Sequence, residues 1–351
     1  MSNLASVGTA NPSFSINQQT MAALVDEHYG DTLRPRSLEV MRKVLEHPSI
    51  RKRYIAVDNI AELITFKNED PDKRMKRFTR WGTRLGAEAA DEALRKAGVA
   101  RDEVTVLVVN TCTGYLCPGL TSYLIEHLGL RKDIKAFDVV GLGCGGSVPN
   151  INLAQSVLGN GNGGVALSIA VEVCSATYQM DNDISLIISN AIFGDGAAAV
   201  CIWNRPQGLE MVASRSYYEP AHRDDVRYVY RKGQLHNRLS PQLPQIIGTL
   251  VPEEIKKLCS EHSLSPSDIN HWAIHPGGHK MLEEIKAALD LPEHKMALSR
   301  KVLAEYGNMS SPSVIFVLNE IMQNGVSPGD WCYIIGYGAG LSIYSYLLRA
   351  R

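Results

Sequence analysis

Short apolar blocks rich in valine and isoleucine alternate along this chain with longer stretches whose apolar residues recur every three or four positions. The blocks at 104–109, 135–140, 164–171, 197–203, 208–216, 271–275, 331–337 and 341–348 are flanked by Gly, Asn or Pro and predict strands. Helical spacing runs through 38–45, 77–97, 121–128, 184–192, 252–263, 280–289 and 313–323, and several of these stretches open after Ser, Thr, Asp or Pro. Strands that are apolar on both faces need helices on both sides, which restricts the chain to a layered α/β fold. The break at Asn204-Arg205-Pro206-Gln207-Gly208 divides it into two halves of similar layout, 1–206 and 207–351.

Bulk properties remove several classes of function. With 351 residues, 45% hydrophobic and 21% charged, the composition is that of an ordinary globular protein with a large core. A net charge of −1 gives no footprint for nucleic acid. The basic run Lys73, Arg74, Lys76, Arg77, Arg80 and Arg84 lies on a helix-like stretch and reads as a solvated face or an anion contact. Seven cysteines, an odd number, suit reduced thiols and a cytoplasmic setting. The N-terminal residues lack the cationic and apolar regions of a secretory signal, and no apolar run is long enough to span a bilayer. A soluble intracellular protein is expected.

Three residues at the ends of predicted elements carry candidate chemistry. Cys144 closes the apolar run Phe137 to Gly143 and opens the turn Gly145-Gly146-Ser147, ahead of an amphipathic stretch at 151–158. Strand, turn and helix in that order put its sulfur near a helix N-terminus, where unpaired N–H groups favour a thiolate. A buried core cysteine would fit the same position. His275 leaves the strand Trp272-Ala273-Ile274 for Pro276-Gly277-Gly278, and Asn308 stands in the turn Tyr306-Gly307-Asn308-Met309-Ser310-Ser311. Taken singly, these are a core histidine and a helix N-cap. Taken together they supply a nucleophile, a base or ion-pair partner that lowers the thiol pKa, and an amide donor for a developing oxyanion.

Two other patterns overlap these residues. His271, His275 and His279 recur every four positions, but Pro276-Gly277-Gly278 interrupts any helix that would align them as zinc ligands, so no metal is expected. Gly141-Leu142-Gly143-Cys144-Gly145-Gly146 has the GxGxxG spacing of a dinucleotide site, without an acidic residue about twenty positions on.

The order Gly8-Thr9-Ala10-Asn11-Pro12, Gly143-Cys144, Phe193-Gly194-Asp195-Gly196-Ala197-Ala198-Ala199, His275-Pro276-Gly277-Gly278, Gly307-Asn308-Met309-Ser310-Ser311 and Gly336-Tyr337-Gly338-Ala339-Gly340-Leu341 closely resembles the type III polyketide synthases, the chalcone synthase-like branch of the thiolase superfamily, over essentially the whole length. The resemblance implies a five-layered αβαβα fold and a homodimer. It also implies a starter acyl-CoA loaded on Cys144 and extended by iterative decarboxylative Claisen condensation with malonyl-CoA, His275 and Asn308 holding the thioester carbonyl. Coenzyme A thioesters would be substrates, with no cofactor permanently bound.

By the same resemblance Phe193 is a gatekeeper, Asn237 replaces a second gatekeeper phenylalanine, and Cys117 reaches across the dimer into the partner's cavity. Cys112, Cys174, Thr177, Ser310 and Ala339 line the cavity, while Lys43, Arg51, Arg53, Gly277 and Gly278 meet CoA. Small residues at Cys117, Cys174 and Ala339 lean toward an aliphatic starter and a pyrone or resorcinol-type product, with a chalcone-type product left open. Three rivals stand beside this reading. A ketoacyl-ACP synthase III-like enzyme would have Gln-Ala-Asn after its histidine. A Cys-His-Asn hydrolase would have a papain-like context around its cysteine. A catalytically silent acyl-CoA-binding dimer would have no need of all three residues.

Overall fold

The computed structural model describes residues 2–159, 163–231 and 233–351. Nine strands form one sheet in the order His271–Ile274, Trp331–Gly338, Ser342–Ala350, Leu209–Tyr218, Asn3–Ala10, Gly196–Trp203, Val165–Glu172, Val104–Thr111, Lys135–Val140. The pairing is continuous but thin at one seam, where only Asn3 and Leu4 meet Glu210 and Leu209. On one side lie the strands of the N-terminal half, on the other those of the C-terminal half. The 204–208 break falls in the turn between Gly196–Trp203 and Leu209–Tyr218.

Burial shows why the two half-sheets stack. Helices Ser147–Leu158 and Pro312–Asn324 lie between them, and Val148, Ile151, Val314 and Phe316 pack against Val106 and Val108 of one half-sheet and Ile334 and Tyr344 of the other. Helix Pro71–Ala97 covers the outer face of the first half, with Phe78, Trp81, Leu85 and Ala89 set at helical spacing against Leu107, Val109 and Leu167. Helices Leu243–Glu261, His279–Leu289 and Glu293–Tyr306 cover the outer face of the second, through Ile247, Ile285 and Leu303. Helix, sheet, helix, sheet, helix is the five-layered αβαβα arrangement.

Local chemistry sets the element ends. Asp70 caps Pro71–Ala97 by accepting from the Lys73 N–H at 2.8 Å, and Gly98 ends it at φ 66°. The basic run on this helix is neutralised locally, Arg77 by Glu69 (2.9 Å), Arg80 by Asp58 (2.7 Å) and Arg84 by Glu88 (2.8 Å). The helix predicted to begin at Pro252 begins at Leu243 and contains the proline. Leu243, Ile247 and Val251 face the same core, and their burial outweighs one missing backbone bond. Among the described residues no helix is long and apolar enough to cross a membrane.

Candidate active site

Cys144 lies in a single 3₁₀ turn, Gly143–Gly145, between strand Lys135–Val140 and helix Ser147–Leu158. The glycines around it serve backbone contact between the two halves. Gly143 has φ 60°, and a Cβ there would lie 2.8 Å from the Ala339 nitrogen. A Cβ on Gly338 would lie 2.7 Å from the Cys144 nitrogen. The close approach accounts for Gly143 within the spacing that resembles a dinucleotide fingerprint, and it seats the end of strand Trp331–Gly338 directly on the nucleophile turn.

His275 follows strand His271–Ile274 and is 1% exposed. Its N–H donates to the Ile335 carbonyl (2.9 Å), and its own carbonyl accepts from the Tyr337 hydroxyl (2.9 Å). The imidazole stands edge-on to the Tyr337 ring, centroids 5.2 Å apart, and Nδ1 has no hydrogen-bond partner among the described residues. The other two histidines of the fourfold spacing point elsewhere, His271 to Asp330 (2.9 Å) and His279 to the His47 ring, 4.9 Å between centroids.

Asn308 is not an N-cap; the residue before helix Pro312–Asn324 is Ser311. Its Oδ1 accepts from the Ser310 N–H (2.8 Å) and its Nδ2 donates to the Gly277 carbonyl (3.0 Å), so the amide orientation is fixed by one obligatory donor and one obligatory acceptor. The second amide N–H remains for a ligand. Gly307, at φ 69°, allows this turn: a Cβ there would lie 2.7 Å from the Ile192 carbonyl oxygen. Backbone bonds from Asn308 N–H to Ile192 (2.9 Å) and from Gly194 N–H to Asn308 (3.0 Å) tie Asn308 to Phe193.

Cys144, His275 and Asn308 converge on one cavity of ≈ 60 Å³. Cys112, Phe193, Asn237, Ser310 and Ala339 line it too, and so does Gly277, which the sequence reading had assigned to CoA. Cys174 and Thr177 line a smaller adjoining pocket of ≈ 30 Å³ that shares Phe193 and Asn237 with the first. Cys117 is exposed, ahead of helix Leu120–Leu128.

The CoA expectations fare unevenly. Lys43 and Arg51 are exposed, Arg51 ion-paired with Glu305. Gly278 borders helix His279–Leu289 without lining the cavity. Arg53 needs correction. It is 1% exposed and donates through Nη1 to the Asn190 (2.8 Å) and Phe193 (2.7 Å) carbonyls at the end of helix Ile184–Ile192, out of reach of a phosphate at the surface.

Electrostatics also depart from expectation. Burial pushes the Cys144 thiol up to about 12, against the lowering effect of a hydrogen bond from Ser310 Oγ (3.3 Å). Burial pushes His275 down to about 3. The free site therefore holds a thiol and a neutral imidazole at neutral pH, not the thiolate–imidazolium pair, because desolvation penalises both charged forms. The sequence reading also missed two groups here. Tyr228, on the hairpin Val226–Arg231 and Gln234–Leu239, lines the cavity opposite its cross-strand neighbour Asn237. Glu172 ends strand Val165–Glu172, apolar but for Ser168, and is fully buried next to Ser310; a lone carboxylate closing such a run was the available signal.

Comparison with known proteins identifies the family. The family described as FAE1/type III polyketide synthase-like protein matches residues 9–227, and the C-terminal domain of chalcone and stilbene synthases matches 211–351. A 1,3,6,8-tetrahydroxynaphthalene synthase of Streptomyces peucetius subsp. caesius is 30% identical over 360 residues, covering 99% of this chain and 93% of the relative. A 3,5-dihydroxyphenylacetyl-CoA synthase of Streptomyces toyocaensis is 28% identical, covering 98% and 88%. The crystal structure of 1,3,6,8-tetrahydroxynaphthalene synthase from Streptomyces coelicolor A3(2), a bacterial type III polyketide synthase, superposes with a TM-score of 0.92 at 26% identity, covering 99% of each chain. PKS-I from the brown alga Ectocarpus siliculosus also gives 0.92 at 26% identity, covering 100% and 98%. With two family matches that together run from residue 9 to the C-terminus, and a fold shared end to end, the chain belongs to the type III polyketide synthases, acyltransferases of the chalcone synthase-like family.

Proposed function

We propose that Cys144 is the acyl carrier of this synthase and that His275 and Asn308 support both loading and decarboxylation. The observation that carries the proposal is the convergence of sulfur, imidazole and carboxamide on one mostly apolar cavity. In loading, the neutral imidazole takes the thiol proton as sulfur attacks the acyl-CoA carbonyl, and the proton passes to the departing CoA sulfur. Malonyl-CoA then places its thioester oxygen between the imidazole and the free Asn308 N–H. The C–C bond to the carboxylate breaks, its electron pair becomes the enolate, and carbon dioxide leaves. The enolate carbon attacks the Cys144 thioester and expels the sulfur, which is reloaded by chain transfer. No strong base is needed. The site supplies donors to the enolate oxygen and exclusion of water, and low polarity strengthens both donors.

The two-half division at 206/207 follows the sheet seam and puts the nucleophile in one half and its partners in the other. Acyl-CoA and malonyl-CoA are the substrates, CoA leaves as product, and the exposed Lys43 and Arg51 would meet its phosphates. A homodimer fits the exposed edge strand Lys135–Val140, where Phe137 (42% exposed) and Val140 (53%) stand near the turn that carries Cys117. Seven free cysteines suit the cytoplasm. The small cavity favours a short aliphatic starter and a pyrone or resorcinol-type product. Incubation with malonyl-CoA and a panel of acyl-CoAs, with products weighed by mass spectrometry, tests the assignment. Cys144→Ala is expected to yield no elongated product while still decarboxylating malonyl-CoA; elongation by that variant refutes the role of Cys144.

A further inference from the structure

We propose that the buried carboxylate of Glu172 is the positioning residue that sets the catalytic amide of Asn308, acting through the Ser310–Ser311 turn. The inference rests on the decarboxylating role given to Asn308 above. Asn308 Oδ1 is held by the Ser310 N–H, and that N–H points at it because Ser310 adopts φ 61°, a left-handed conformation that serine rarely takes. Something must hold the turn there, and Glu172 is what the side chains of the turn meet. Ser311 Oγ donates to Glu172 Oε1 at 2.7 Å, and its lone pair is taken by the Asn110 amide at 2.9 Å, so the hydroxyl proton is committed to the carboxylate. Ser310 Oγ lies 3.4 Å from the same oxygen and 3.3 Å from the Cys144 sulfur.

The carboxylate is anchored on its far side as well. Oε2 accepts from the Cys112 N–H (3.0 Å) and from Thr113 Oγ1 (2.9 Å), whose lone pair in turn takes the Val173 N–H (3.0 Å). An acid with committed donors on both oxygens is a fixed strut rather than a proton acceptor. Burial pushes its pKa up while the Cys112, Ser311 and Thr113 bonds pull it down. The strut joins strand Val165–Glu172, residues 111–113 after strand Val104–Thr111, and the turn ahead of helix Pro312–Asn324.

Glu172 also faces the nucleophile, and its charge raises the thiol pKa. Around Cys144 the other titratable groups are Cys112, Cys174, Tyr228, His275 and Tyr337, and Arg227 is the cation lining the same cavity. Glu172→Gln therefore has a signature with two opposite signs. Alkylation of Cys144 by iodoacetamide, read on its own peptide by mass spectrometry, is expected to move to lower pH. Decarboxylation of malonyl-CoA is expected to fall at least tenfold, toward the ~10²-fold that a 1 Å misplacement costs. In a Glu172→Gln protein that folds as wild type by circular dichroism, wild-type decarboxylation or parallel loss of both activities overturns the proposal. If Glu172→Gln does not fold, Ser311→Ala decides: the charge stays, so alkylation is expected unshifted with decarboxylation slowed, and wild-type decarboxylation there overturns it. A wild-type protein inert toward malonyl-CoA would instead refute the reading of Asn308, and an unshifted alkylation profile in Glu172→Gln would still count against the strut.

Discussion

Asn308→Asp isolates the contribution of one donor. The substitution keeps size and shape, and Oδ1 can still accept from the Ser310 N–H at 2.8 Å. What changes is the atom 3.0 Å from the Gly277 carbonyl oxygen, which becomes an oxygen instead of a donating nitrogen. An ionised aspartate there sets lone pair against lone pair and offers nothing to an enolate. A protonated one satisfies Gly277 with its only proton and again has none left for the substrate. Either way the site loses one oriented donor, worth about 10²–10³ in rate, or ~2.7–4 kcal/mol. Release of acetyl-CoA from malonyl-CoA, followed by chromatography, measures the step directly. Iodoacetamide labelling of Cys144 serves as control: the sulfur is expected to remain reactive, its profile moving to higher pH if the aspartate ionises, as the Glu172 charge already moves it. Decarboxylation within tenfold of wild type, with labelling intact, would refute the donor role.

Other perturbations test the scaffold and the cavity. Burial holds His275 near 3 against an ordinary 6.5, so the neutral ring contributes stability that is present above pH 6.5 and lost as pH falls toward 3. In urea titrations across that window, His275→Gln should lose stability less steeply than wild type, by up to about 1.4 kcal/mol per pH unit; equal slopes would contradict the burial argument. Gly338→Ala places a Cβ 2.7 Å from the Cys144 nitrogen, where only backbone can yield. A loss of about 1–3 kcal/mol in chemical denaturation and slower Cys144 acylation are expected. Asn237→Phe fills space shared by the main cavity and its adjoining pocket, and shorter products are the expected mass-spectrometric outcome.

Much of the architecture was legible in the chain because burial on two faces leaves a periodic trace. Strand Gly196–Trp203, buried along its whole length, and helix Ile184–Ile192 end where their apolar spacing ends. The hairpin 226–239 left no such trace, since its Arg, Tyr and Asn residues face a cavity rather than a core, and Tyr228 went unread with it. Glycines at 143 and 338 were visible as glycines, but their purpose, backbone laid on backbone across two halves, exists only once the layers are stacked.

The residue types at 144, 275 and 308 were enough to name the chemistry, because nucleophile, imidazole and amide are properties of side chains. Their state was decided by the fold. Desolvation in the cavity left a thiol and a neutral ring where the sequence suggested an ion pair, and hydrogen bonds to Gln18, Asn190 and Phe193 hold Arg53 in the interior instead of at the surface. Solvation and orientation depend on everything within a few ångströms, and for this site those neighbours come from both halves of the chain.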